Sequence, residues 1–293
     1  MGVAYRRIYS IKSVIKISQK DAVEKVRTMI NNNALIVIDE ATRIAASKFC
    51  SYDIDKKHIV PVVLEDYPCS SIKESLIDEE CIHIAWIGRL SRDKIYALIN
   101  LMNHLEKIKI IKKFHIIGEG NCKHLLREYR FETIYLGTIS PKDLPSYLQT
   151  HIDIVFAMGT SMLEAEKCGI PAVYTFYSWE EYSRDCFVWA FKLKNYCLGY
   201  KWEDRLVSDE KLMSLEQILN DFLVNMPHCS KEAREHFESF LIHKHIDRFL
   251  ACVDETSYSN EVLRKEKSKT KLERLKFKLI KKLRFYKLRE DRI

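Results

Sequence analysis

The chain has 293 residues, with 47% hydrophobic and 30% charged, enough to bury the core of one large or two small globular domains. No apolar run approaches the ~18 residues of a transmembrane helix, and MGVAYRRIYS lacks the apolar core of a secretory signal; Arg6, where Ser or Thr is needed, argues against myristoylation of Gly2. The net charge of +7 is local: residues 261–293 hold 14 Lys/Arg against 5 Asp/Glu, whereas the first 260 hold 34 against 36.

In chain order, residues 20–70 carry a helical stretch (Ala22–Ile30), a buried-strand pattern (ALIVID, 34–39), a second helix (Glu40–Phe49) and a short strand (HIVPVV, 58–63). From residue 82 the pattern becomes regular. The apolar runs IHIAWI (82–87), FHII (114–117), TIYL (133–136), IDIVFAM (152–158) and PAVYTF (171–176) are short, rich in β-branched or aromatic residues and bounded by turn signals. Their near-continuous hydrophobicity predicts strands covered on both faces, as in a parallel sheet. Between them the spacing predicts helices over Asp93–Ile110, Cys122–Tyr129, Pro141–Leu148 and Ser161–Cys168. Strand–helix alternation of this kind predicts an α/β fold, a doubly wound parallel-sheet (Rossmann-like) domain. Beyond residue 176, helical segments run to about residue 253, including one near Lys231–Phe249, and a basic helix follows from Val262.

Nine cysteines are scattered without a CxxC pair, which predicts reduced thiols in a cytoplasmic protein. His243 and His245 stand two apart and point to different sides of a helix, so no metal site is expected. Asp53-Ile54-Asp55 forms a DxD in a polar stretch, SYDIDKKH, and reads as a solvated loop.

Six of the eight glycines (Gly88, Gly118, Gly120, Gly137, Gly159 and Gly169) fall within 82 residues, five of them after an apolar run. In a doubly wound fold ligands bind beyond the carboxyl ends of the strands. Three of those ends are distinctive: Gly88-Arg89-Leu90 with Lys94, then Gly118-Glu119-Gly120, then Gly159-Thr160-Ser161-Met162-Leu163-Glu164. Gly159 allows a phosphate to approach the backbone, and the amides that follow open a helix. Arg89 offers a planar fork for phosphate oxygens and Lys94 a point charge, a pair suited to stabilising a departing diphosphate. Glu164 has the chemistry to accept ribose hydroxyls. Ser161 and Glu164 equally satisfy the S-x-x-E of a capping box, and Gly118 and Gly120 equally satisfy a tight turn.

Taken in order, these motifs resemble the donor domain of family-four-like glycosyltransferases of the GT-B fold, in the flavour of bacterial capsule and cell-surface polysaccharide enzymes. IAWIGRLSRDK is similar to the family's strand-GRL-x-x-x-K element, FHIIGEG to its glycine turn, and MGTSMLEAEKCGIPAV to its S-x-x-E-A-x-x-x-G-x-P-V signature. The resemblance covers about 95 residues. It implies Arg89 and Lys94 as the catalytic pair on the donor diphosphate. It places Gly118 and Glu119 beside the nucleobase or ribose, Thr160, Ser161, Met162 and Leu163 along the phosphate loop with Gly159, and Glu164 on the ribose, with Gly88 also among the donor-binding residues. It further implies retaining transfer from a nucleotide-sugar donor to a polysaccharide or lipid-linked acceptor, with neither cofactor nor metal. Where the family often carries a second glutamate, eight residues before Glu164, this chain has Phe156.

The implied organisation is a partial N-terminal, acceptor-side α/β segment (1–75), a nucleotide-sugar donor-binding domain (76–250) and a basic amphipathic tail (251–293). In the tail, Leu272, Leu275, Leu279, Leu283 and Tyr286 fall within about 80° on a helix. Residues 262–289 are therefore a candidate for peripheral contact with an anionic membrane. No nucleic-acid motif precedes the tail, so no nucleic-acid partner is expected. The alternatives to a transferase are a non-catalytic nucleotide-sugar-binding half and another GT-B-shaped enzyme such as a sugar-nucleotide epimerase.

Overall fold

The computed structural model describes residues 19–65, 81–110, 112–204 and 211–257. The basic tail, and with it the membrane-facing stripe expected over residues 262–289, lies outside them. The described residues fall into two compact units, those of 37–46 with 59–247, and those of 19–36 with 47–58 and 248–257.

The larger unit is built on a six-stranded sheet: β1 (Ile82–Ile87), β2 (Lys112–Ile117), β3 (Glu132–Gly137), β4 (Ile154–Ala157), β5 (Ala172–Tyr174) and β6 (Val188–Trp189). The order is β3-β2-β1-β4-β5-β6; the first five are parallel and β6 runs antiparallel to β5. Trp86, Phe114 and Phe156 are wholly buried, which explains why these strands read as continuous apolar runs rather than alternating ones. β3 is the exception: it forms one edge of the sheet and is only half-buried.

The helices are α1 (Gln19–Asn31), α2 (Glu40–Cys50), α3 (Arg92–Leu105), α4 (Leu144–His151), α5 (Thr160–Glu166), α6 (Leu215–Glu238) and α7 (Ile246–Asp254). In α3 the apolar spacing places Ile95, Leu98, Leu101, Met102 and Leu105 in the core. Helix α6 begins at a capping box, with Ser214 Oγ accepting from the Gln217 amide and Gln217 Oε1 from the Ser214 amide. It kinks at Asn225, two residues before Pro227, whose ring cannot be accommodated in a regular turn.

Three expectations are corrected and one stands. Cys122–Tyr129 forms only a 3-10 turn, Lys123–Leu125, with Leu125 exposed, while Cys122, Leu126 and Tyr129 still pack on the core. The helix expected over Lys231–Phe249 is two helices, α6 and α7, separated at residues 239–245. ALIVID and HIVPVV meet in one isolated bridge, Val37 to Ile59, and Pro61 has no N–H to extend a ladder. Asp53-Ile54-Asp55 is the solvated loop expected: both carboxylates are exposed, that of Asp55 accepting from the Lys57 amide at 2.8 Å, and only Ile54 is buried.

Among the described residues no helix is long and apolar enough to cross a membrane, and eight cysteines carry free thiols.

Candidate functional site

The strand order reverses between β1 and β4, because β1 pairs with β2 on one side and with β4 on the other. Such a reversal opens a crevice at the carboxyl ends of the strands. The register brings three loops out side by side: Ile87 pairs with both Ile117 and Ala157, so Gly88, Gly118 and Met158 leave the sheet at one level.

The first two loops are laced together. The Gly88 amide donates to the Ile117 carbonyl, the Leu90 amide to the Glu119 carbonyl, the Cys122 amide to the Leu90 carbonyl, and the Gly118 amide to the Gly137 carbonyl, all within 2.7–3.0 Å. A Cβ on Gly118 would stand 2.1 Å from the Gly88 carbonyl oxygen, and one on Gly120 2.3 Å from that of Leu90. The G-x-G is therefore demanded by protein packing. Glu119 projects exposed towards the end of β3, its Oε1 2.8 Å from where a Gly137 Cβ would lie.

Gly159 differs. It is the N-cap of α5 at φ 73°, ψ −151°, a conformation open essentially to glycine alone, yet nothing lies within 4 Å of the position a Cβ would take. Its amide donates to the Leu198 carbonyl at 2.6 Å. The segment carrying Leu198 is pinned in turn: the Tyr174 hydroxyl donates to the Tyr200 carbonyl and accepts from its amide, each at 2.7 Å. Leu198 and Tyr174 escaped the sequence reading because these contacts span 26 to 39 residues and follow no motif.

With Gly159 at the N-cap, Ser161 is the second helical residue, so Ser161 and Glu164 do not form a capping box. Glu164 is half-buried and meets no hydrogen-bonding or ionic partner among the described residues. Met162 and Leu163 turn their side chains into the core, and the Met162 amide is taken by the Gly159 carbonyl at 3.2 Å. Thr160 is exposed and Ser161 half-exposed, and their amides meet no acceptor among the described residues. With seven residues, α5 contributes little macrodipole; the capacity for an anion lies in these two amides and the open space beside Gly159.

Across the reversal, Arg89 is exposed and makes no ion pair among the described residues. Lys94 sits half-buried in the first turn of α3, its amide held by the Ser91 carbonyl at 2.9 Å. Phe156 lies wholly inside β4, edge-on to Phe187 at 5.7 Å between ring centroids, so that strand presents no carboxylate. The arrangement thus offers cationic groups after β1, free amides after β4 and a carboxylate on α5. Among the described residues no group of three His, Cys, Asp or Glu side chains is placed to hold a metal.

Compared with solved structures, the chain is similar to TarM, with a TM-score of 0.50 and 17% identity over 79% of this chain and 45% of TarM. It therefore spans about half of TarM's length. That likeness shows the fold, a Rossmann-like doubly wound sheet of the GT-B type. Two further structures fall slightly below it. The lipopolysaccharide outer core galactosyltransferase WaaB gives a TM-score of 0.48 and 16% identity over 74% of this chain and 60% of that one. HepE of Anabaena in complex with UDP-glucose gives 0.48 and 15% over 82% and 68%. No family model and no curated protein matches the chain.

Proposed function

We propose that the chain binds a nucleotide-sugar through the crevice between β1 and β4 and serves a glycosyltransferase as its donor-binding portion. The observation that carries this reading is Gly159. The backbone there holds a conformation reserved for glycine although no atom of the described residues needs the space, which is what close approach of a ligand to the chain requires.

In this reading Arg89 and Lys94 hold the diphosphate and stabilise it as the glycosidic bond breaks. The Thr160 and Ser161 amides receive phosphate oxygens, and Glu164 accepts the ribose hydroxyls. Gly88 and Gly118 keep the Arg89 loop in place, Met162 and Leu163 anchor α5 from below, and Glu119 faces the nucleoside. No residue of the site calls for a metal, because cationic side chains and amides supply the positive charge. Transfer with retention to a saccharide or lipid-linked acceptor, a cytoplasmic location, and contact of residues 262–289 with an anionic membrane belong to the same proposal. They rest on the sequence resemblance and on the basic stripe.

Calorimetric titration with UDP, GDP and UDP-sugars tests the site. Arg89→Ala is expected to weaken binding of the diphosphate by about 1.5–3 kcal/mol, the scale of a hydrogen bond to a charged group. Glu164→Gln is expected to weaken nucleoside diphosphates while leaving inorganic pyrophosphate unaffected. Undiminished affinity in Arg89→Ala would remove Arg89 from the site. Product formation with an acceptor then separates a transferase from a donor-binding half that does not turn over.

A further inference from the structure

Of the four tryptophans, Trp86 and Trp189 are fully buried. Trp202 is half-buried, packed edge-on to Phe176 at 5.2 Å and covered by the Arg184 guanidinium at 4.8 Å. Trp179 alone stands open, with 52% of its surface exposed. An indole offers a flat apolar face with a polar N–H at its edge, and the position of this one is specific. Residues 175–181 continue from the carboxyl end of β5, the end at which the crevice opens, and the Ser178 amide reaches the Asp93 carbonyl at 3.2 Å. That contact fastens the loop to the first turn of α3, one residue from Lys94.

The loop is also held in shape. Ser178 Oγ donates to the Glu180 carbonyl at 2.7 Å and accepts from the Glu180 amide at 3.2 Å, and the Tyr182 hydroxyl donates to the Phe176 carbonyl at 2.8 Å. The indole is thus presented by a preorganised turn, so a ligand need not meet the cost of ordering it. Glu180 and Glu181, both exposed, flank it with acceptors. An aromatic face bordered by carboxylates matches a pyranose, whose axial C–H groups form an apolar face and whose hydroxyls ring its edge. The same carboxylates disfavour an anionic lipid surface.

We infer that Trp179 is the stacking platform for the sugar ring bound at this crevice, with Glu180 and Glu181 as hydroxyl acceptors. The inference rests on the donor-site reading above and adds to it the group that recognises sugar. The ring belongs either to the donor or to a saccharide acceptor, and the experiment distinguishes them.

Iodide quenching of tryptophan emission in the full chain reads Trp179, and Trp179→Ala, which removes the readily quenched component, serves as its control. UDP is expected to leave quenching unchanged. UDP-glucose, UDP-galactose or UDP-N-acetylglucosamine is expected to reduce it if the ring is the donor's. Lactose or maltotriose added with UDP is expected to reduce it if the ring is the acceptor's. The protecting ligand should bind about tenfold more weakly to Trp179→Ala, and within about threefold of wild type to Trp179→Phe, with UDP affinity unchanged in both. UDP binding with no protection by any of these sugars, or with full sugar affinity in Trp179→Ala, overturns the inference alone. Absence of UDP binding to the wild-type chain overturns the donor-site reading and this inference with it.

Discussion

Gly118→Ala is expected to destabilise the larger unit by about 2–6 kcal/mol, summing an overpacking cost and a backbone cost. The added methyl would lie 2.1 Å from the Gly88 carbonyl oxygen at a residue whose φ is +139°. Neither partner can retreat, because the Gly88 amide is bonded to Ile117 and the Gly118 amide to Gly137. Gly159→Ala is the matched control: its methyl meets nothing within 4 Å, so only the backbone strain of about 1–3 kcal/mol remains. Urea midpoints of the two variants decide the matter. A Gly118→Ala midpoint equal to that of Gly159→Ala would show that the two loops are not laced as described.

The second large effect is expected at His236. Glu166, the last residue of α5, is wholly buried, and its Oε2 lies 2.7 Å from Nδ1 of His236 on α6. Glu166 Oε1 has no hydrogen-bond partner. Burial raises the Glu166 carboxyl above its ordinary value of 4.5, and the imidazole pulls it back only in part. His236→Ala removes that pull and is expected to cost roughly 3–5 kcal/mol at neutral pH, the scale for stranding a buried charge. The Glu166→Gln/His236→Ala double variant should lose less, because no charge is then left behind.

The pH dependence of this pair has a definite sign. With its native value raised, Glu166 holds more proton when folded than when unfolded, so its contribution is complete below about pH 4.5 and is lost as pH climbs through the raised value. The His236→Ala deficit should therefore grow between pH 5 and pH 8, and Glu166→Gln should flatten the decline. Urea midpoints for the four proteins at both pH values read this directly. A deficit independent of pH would show that Glu166 does not carry it.

Much of this architecture is legible in the residues because central parallel strands, covered on both faces, are apolar along most of their length. Ile82–Ile87 and Ile154–Ala157 could hardly be anything else once turns bound them. The site loops are legible for a related reason, since glycines concentrate where backbones turn or crowd. What the glycines do was not legible: Gly118 serves packing and Gly159 serves open space, a distinction set by neighbours far away in the chain. The S-x-x-E of Ser161 and Glu164 equally fits a capping box in sequence, but the helix starts at Thr160 with Gly159 as its cap, which puts Ser161 inside the first turn. The Glu166–His236 pair spans 70 residues and has no periodic signature at all.

The smaller unit carries a consequence for how the chain is made. Asn32 receives Ser257 through its carbonyl and its side chain, each at 3.0 Å, across a separation of 225 residues. Lys57 pairs with Glu255 at 3.2 Å across 198. Loop-closure entropy rises only logarithmically, so these distant contacts weigh little at equilibrium. In time they weigh heavily: at roughly 5–20 residues per second, a ribosome needs some 10–45 s between residues 32 and 257. Throughout that interval helix α1 has its contact to the Cys50 carbonyl through Arg27 but lacks those that Asn32 makes with Ser257. The smaller unit therefore cannot be completed until the chain has been made to about residue 257, although its first helix is among the earliest segments synthesised.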